Sequence, residues 1–223
     1  PQVLGNRDFK SEEVIACELG YRTQATDQLS LDFALFYNVH DNLKTTKSGR
    51  VRPGLAAGTF ELPLRRVNQL EGETYGAEMS ATYQPFNLWR VSASYTLLKM
   101  QLHREAGLPR SAESAEGQSP EHQAYLQSSW NLPHNVEFDL IGRFVSRLHG
   151  FNPGAGPGVA DEIPGYAALD ARVNWRARTN LDVELAGQNL IDNHHPEFGT
   201  STSIRAPVVE IQRSVYFKLT FKF

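Results

Sequence analysis

The stretch VVEIQRSVYFKLTFKF, Val208 to Phe223, decides the fold. Val209, Ile211, Val215, Phe217, Leu219, Phe221 and Phe223 fall on one face at period two. Glu210, Gln212, Ser214, Tyr216, Lys218, Thr220 and Lys222 fall on the other, which is the pattern of an extended strand. Only Arg213 breaks the apolar row. Such a strand suits a half-buried soluble sheet, and it equally suits a barrel wall with lipid outside and water inside. What precedes it settles the choice.

The same alternation recurs along the chain. Glu13 to Arg22 carries Ile15, Cys17, Leu19 and Tyr21 on one face, and Leu29 to Val39 carries Leu29, Leu31, Phe33, Leu35, Tyr37 and Val39. Leu64 to Gln84 carries Tyr75, Ala77, Met79, Ala81 and Tyr83, with Gly72 and Gly76 as positions for a bend or bulge. Leu88 to Met100 carries Trp89, Val91, Ala93, Tyr95 and Leu97. Further strands are expected at Glu121 to Leu132, Asn135 to Leu148, Tyr166 to Arg176 and Leu181 to Ile191. Short turns near residues 25, 86, 133 and 178 alternate with long loops near 52, 111, 156 and 199. Asp27, Asn87, Asn135 and Asn180 each stand just before an outgoing apolar run, so the hairpin is the repeated unit. Short turns on one rim and long loops on the other are the habit of outer-membrane barrels, whereas Greek-key sandwiches mix connection lengths. The expectation is an all-β antiparallel up-and-down meander in which each strand pairs with its sequence neighbours, with no parallel pair and no helix beyond two turns.

Composition narrows the function classes. Mean hydropathy is -0.41, and no window approaches the run of about 18 apolar residues a membrane helix needs. The net charge of -3, with Lys and Arg interspersed among acids, offers no basic stripe for nucleic acid. The lone Cys17 permits no internal disulfide. The opening of the chain does not read as a leader, which implies a removed signal peptide or an internal segment of something longer. Trp89, Trp130 and Trp175 each lie close to a short turn, as indoles at a membrane interface do. Tyr21, Tyr83, Phe221 and Phe223 are expected in the same belt.

No catalytic apparatus is legible. His194 and His195 precede Glu197, but adjacent histidines in extended chain point apart, so no metal site is expected. His103, Glu105, Glu113, Glu116, Glu121 and His122 read as a solvated loop surface. No G-x-S-x-G elbow occurs, and Gly154 to Gly158 lacks the Lys and helix of a phosphate loop. No enzyme activity and no cofactor are expected. Asp32, Arg90, Glu137, Asp139, Arg143, Asp170, Arg172, Asp182, Glu184, Lys218 and Lys222 fall opposite the apolar rows and are the charged inner face if the sheet is a barrel wall. The competing class is a small soluble β-sandwich binding module, which would hide the apolar rows that a barrel shows to lipid.

The segments SEEVIACELGYR (Ser11 to Arg22), EGETYGAEMSATYQP (Glu71 to Pro85), WRVSASYTLL (Trp89 to Leu98), IPGYAALDARVNWR (Ile163 to Arg176) and LDVELAGQNLIDNHHPEF (Leu181 to Phe198) resemble the carboxy-terminal part of a TonB-dependent outer-membrane receptor. The most specific pieces are GAE at Gly76 to Glu78, GQNLIDN at Gly187 to Asn193 and the strand ending at Phe223. The resemblance implies a barrel of about 22 strands filled by a plug domain, of which this chain supplies about the last nine, without plug or energy-coupling box. It implies uptake of a scarce nutrient such as a ferric siderophore, at the outer membrane of a Gram-negative bacterium. The implied partners are lipid, TonB, the plug, a metal chelate and the outer-membrane assembly machinery. Phe217, Leu219, Phe221 and Phe223 would be the assembly signal, and the loops near 52, 111, 156 and 199 the ligand-contacting candidates.

Overall fold

Strands with unpaired main-chain groups on both edges satisfy them side by side. The computed structural model describes residues 2–56, 58–149, 162–197 and 209–223. Its main sheet comprises β1 (Glu13–Thr26), β2 (Leu29–Ser48), β3 (Pro63–Phe86), β4 (Trp89–Arg104), β5 (His122–Leu132), β6 (Val136–Val145), β7 (Tyr166–Arg178), β8 (Leu181–Gln188) and β9 (Ser214–Phe221). These nine form one meander in chain order, each antiparallel to its neighbours. The short turns lie where expected. At Pro133–Asn135 a single 3-10 turn carries His134 and Asn135 with φ of 65° and 60°.

Register keeps the two faces apart across the sheet. Leu31, Ala81, Ala93, Leu126, Gly142 and Leu169 form one cross-strand row. Asp32, Ser80, Ser94, Tyr125, Arg143 and Ala168 form the next, on the opposite face. The apolar row is open to the surroundings: Ile15 is 70% exposed, Leu126 54% and Phe217 61%. Among the described residues no second sheet packs on it, and the buried apolar side chains Leu70, Leu102, Leu108, Leu148, Ile163, Ala168 and Ala186 all lie elsewhere. A sandwich would place those rows in its interior. The single layer is therefore not the packed pair of sheets that the alternative expected.

Several expectations are corrected. β2 and β3 run far past the apolar alternation, because ladder pairing continues from Thr45 opposite Val67 to Ser48 opposite Leu64. A bulge between His40 and Leu43, where Asn42 adopts φ 57°, sits beside Gly72. At Gly76 register is unbroken, and the glycine instead makes room for the Phe36 ring and the Leu97 carbonyl. Among the described residues one parallel pair exists, Gln2–Leu4 along Pro63–Arg65. It forms because β4 stops pairing at Leu70 opposite Arg104, which leaves the edge of β3 open beyond that point. The meander order is untouched. The 3-10 helix Arg110–Gly117 has eight residues, longer than the two turns expected. Among the described residues no helix is long and apolar enough to cross a membrane. The terminal stretch is two pieces, not one: Glu210–Gln212 pairs with His194–Pro196, and Ser214–Phe221 pairs with β8. Arg213 marks the break, its Nε donating to the Asn189 carbonyl at 3.4 Å. Val208, the loop centres near 156 and 199 and the Gly154 to Gly158 stretch lie outside the described residues.

Candidate functional site

The inner face gathers the charged residues that the sequence places opposite the apolar rows. At its centre Arg172 donates from Nε and Nη2 to Asp139 Oδ2 at 2.9 and 2.6 Å. The same guanidinium lies 3.5 Å from Glu184 and 3.7 Å from Glu137. Asp139 is 6% exposed, and its second oxygen accepts from Ser129 Oγ at 2.6 Å and Gln127 Nε2 at 3.3 Å. Gln127 in turn accepts from the Tyr125 hydroxyl at 2.7 Å. Around this hub Asp182 meets Arg176 and Lys222 at 3.5 and 3.2 Å, Arg143 meets Asp170 at 2.8 Å, and Arg22 pairs with Asp32. The contacts around Arg172 tie β5 through β8 together, Lys222 adds the residue just past β9, and the Arg22–Asp32 pair links β1 to β2 separately, all on the side away from the apolar rows. Arg90 and Lys218 share that face by register, opposite Ser129 and Glu184.

The rim carrying the long loops is built differently from the expectation. β4 pairs with β5 only as far as Leu97 opposite His122, so its edge beyond is open. The strap of residues 105–117 closes it. Leu102 N–H donates to Glu116 Oε1 at 2.5 Å and Arg104 N–H to Glu113 Oε1 at 3.2 Å, while the Arg104 guanidinium pairs with Glu113 and donates to the Leu108 carbonyl. Two carboxylates thus take main-chain donors that a neighbouring strand would otherwise take, and Leu102 and Leu108 are buried beneath. Of the six residues read as a solvated surface, His103, Glu105, Glu116 and Glu121 are exposed and Glu113 and His122 half-buried, and all six also make specific contacts. His122 Nδ1 lies 2.7 Å from the Tyr95 hydroxyl, Glu121 pairs with Lys99, His103 lies 2.9 Å from Glu73, and Glu105 accepts from Gln69 at 2.8 Å. No regular spacing in the loop announces these contacts, which are made in space.

The GQNLIDN segment folds into a corner. Asn189, at φ 58° and 2% exposed, donates its N–H to Asp170 Oδ1 at 2.8 Å and its amide to the Ile211 carbonyl at 3.2 Å. His195 is buried with its ring stacked on Tyr166 at 3.9 Å, between Asp192 at 3.2 Å and Glu197 at 3.6 Å. His194 points the other way, exposed, toward Glu210 at 3.6 Å. The two histidines diverge as extended chain requires, and His195 is a packing element of the corner. Its neighbour Tyr166 lies in another strand, so sequence spacing held no sign of the stack. Among the described residues no three metal-ligating side chains converge.

On the outer face near the short turns, Trp89 stands opposite Trp130, which stacks on Phe138 at 5.2 Å. Phe86 meets Trp89 at 6.0 Å, and Trp175 stands opposite Val136 at the same rim. Trp89 Nε1 donates to Ser128 Oγ at 2.8 Å, which satisfies a hydroxyl on an otherwise apolar face. Tyr83 stands opposite Val91, one pair from that rim, while Tyr21 lies further along the wall opposite Phe33. Phe217, Leu219 and Phe221 pair with Leu185, Val183 and Leu181, and Phe223 lies beyond the last pair, fully exposed.

A one-layer antiparallel wall, apolar outside and charged inside with all tight turns on one rim, is the wall of a transmembrane β-barrel. The chain belongs to the TonB-dependent receptor β-barrel family: residues 1–190 match the family described as TonB dependent receptor-like, beta-barrel. The catecholate siderophore receptor Fiu of Escherichia coli strain K12 is 25% identical over 189 residues, covering 84% of this chain and 23% of that protein. The crystal structure of the ferric-catecholate import receptor Fiu from the same strain superposes with a TM-score of 0.73 at 23% identity, over 98% of this chain and 29% of that one. The ferric enterobactin receptor PfeA from Pseudomonas aeruginosa gives 0.75 at 15% identity, over 99% and 32%. The chain therefore spans about a quarter of the length of the curated receptors it matches.

Proposed function

We propose that residues 1–223 form the carboxy-terminal segment of the barrel of an outer-membrane receptor in a Gram-negative bacterium, and that the receptor takes up a scarce nutrient such as a ferric siderophore. The observation that carries the reading is the pairing of two faces on one sheet: an exposed apolar row meant for lipid and a charged row meant for a filled, wet interior. Membership of the family and the likeness to a protein named for catecholate siderophores support the ligand class.

In this reading the inner network holds a plug contributed by another part of the receptor, and TonB supplies the energy through that plug. The loops beyond the strap rim meet the metal chelate. Trp89, Trp130 and Trp175 sit at the periplasmic interface, and Phe217, Leu219, Phe221 and Phe223 form the signal read by the assembly machinery. The protein carries cargo and performs no catalysis. A strain lacking the full-length gene, grown under iron limitation with other receptors deleted, should lose uptake of radiolabelled ferric catecholate and regain it on complementation. Unchanged uptake would remove the ligand assignment, and recovery of the receptor outside the outer-membrane fraction would remove the reading altogether.

A further inference from the structure

The part of the hairpin between β2 and β3 from Lys44 to Arg66 contains six basic residues and one acidic residue, Glu61, in a chain whose net charge is -3. Two of the six pair with carboxylates, Arg52 with Glu61 at 3.1 Å and Arg65 with Asp8 at 3.7 Å, while Lys47 bonds the neutral Gln69 amide at 3.3 Å. Among the described residues no carboxylate lies within ion-pair reach of the side chains of Lys44, Arg50 or Arg66. Lys44 and Arg66 converge on one recess of about 260 Å³ between this hairpin and the strap, lined also by Thr45, Thr46, Pro109 and Ser111. Arg66 Nη1 donates to Thr46 Oγ1 at 2.5 Å, which holds the guanidinium beside that hydroxyl.

Two cations with no carboxylate in ion-pair reach among the described residues, the hydroxyls of Thr46 and Ser111 and a bounded volume make a receptacle for a compact oxyanion, since charge-assisted donors favour phosphate and carboxylate oxygens. We propose that this recess binds an anionic oxygen-bearing group, either the phosphate of a lipopolysaccharide headgroup or the acidic head of a soluble ligand. The strap forms one side of it, so occupancy ties residues 109–112 to the β2–β3 hairpin. Phosphate binding here does not depend on which nutrient the receptor carries, and only the soluble-ligand source rests on the uptake reading.

The test uses the full-length receptor purified in detergent and titrated calorimetrically with inorganic phosphate. Wild type should bind, and Lys44→Gln/Arg66→Gln should lose at least about tenfold in affinity. Arg50→Gln, on the same hairpin but outside the recess, should stay within about twofold of wild type. No phosphate binding by wild type, or equal affinity in the double variant, overturns the proposal. Two further arms identify the source of the anion. Loss of co-purifying lipopolysaccharide with normal nutrient uptake assigns the recess to the headgroup, and loss of uptake with normal lipopolysaccharide assigns it to a soluble ligand. Because the phosphate titration needs no transport, its failure is distinct from a failure of the uptake reading.

Discussion

Arg172 faces three carboxylates, and only Asp139 among them is nearly shut from solvent. Replacing the arginine removes three hydrogen bonds, two of them to Asp139, and leaves Asp139 with Ser129 and Gln127 as its neutral partners. The half-exposed guanidinium tempers the effect, so Arg172→Met should destabilise the refolded full-length receptor by about 1.5–3 kcal/mol. Adding Asp139→Asn should restore most of that stability, because no buried charge is then left unpaired. Urea denaturation of the four proteins of the cycle measures both values. A double variant as unstable as the sum of the singles would show that the two residues act separately.

At the scale of elements, β3 depends on a missing side chain. A Cβ at Gly76 would run into the Leu97 carbonyl oxygen as well as the Phe36 ring. Gly76→Ala should therefore destabilise the wall by about 1–3 kcal/mol. Phe36→Ala should not rescue it, because the backbone carbonyl remains; recovery on combining the two, read from heat-modified gel mobility, would place the whole conflict on the ring. β9 makes a different kind of case. Phe223 lies past its last ladder pair, continuing the apolar row of Phe217, Leu219 and Phe221. If the strand is the assembly signal proposed above, deleting Phe223 or changing it to Asp should cost more than the burial of one ring, about 1.5–3 kcal/mol, would imply. Both variants should sharply lower the amount of protease-protected full-length receptor. Lys222→Gln should change little, since its contact with Asp182 is an exposed ion pair of about 0–1 kcal/mol.

For the whole molecule, the decisive feature is which face meets lipid. Cys17 stands opposite Tyr37, in register with Ile15 and Leu19. A maleimide that cannot enter the bilayer should label it slowly in intact membranes and quickly after unfolding, and fast labelling in membranes would reverse the assigned faces. This much was legible because period-two alternation survives wherever one side meets hydrocarbon and the other water. It fades at Lys44-Thr45-Thr46-Lys47, where both sides are polar and main-chain pairing with polar side-chain contacts holds the strand. For the same reason the outward reach of β2 and β3 went unread. The inner charges could be placed on a face by parity, but the choice of Arg172 as their hub rests on the stagger between four strands. The engagement of Glu113 and Glu116 rests on an edge that exists only once β5 has stopped short of β4's end.

That edge matters before the barrel is complete. A nascent wall in the periplasm displays bare strand donors that can template a foreign chain or a slipped copy of its own. With Leu102 and Arg104 already donating to the strap, this reach of β4 offers no such template, and intermolecular strand exchange is discouraged where the wall is most ragged. Glu113→Ala/Glu116→Ala should accordingly raise the yield of cross-linked receptor dimers during refolding at fixed concentration, while the monomers that do fold keep the same wall.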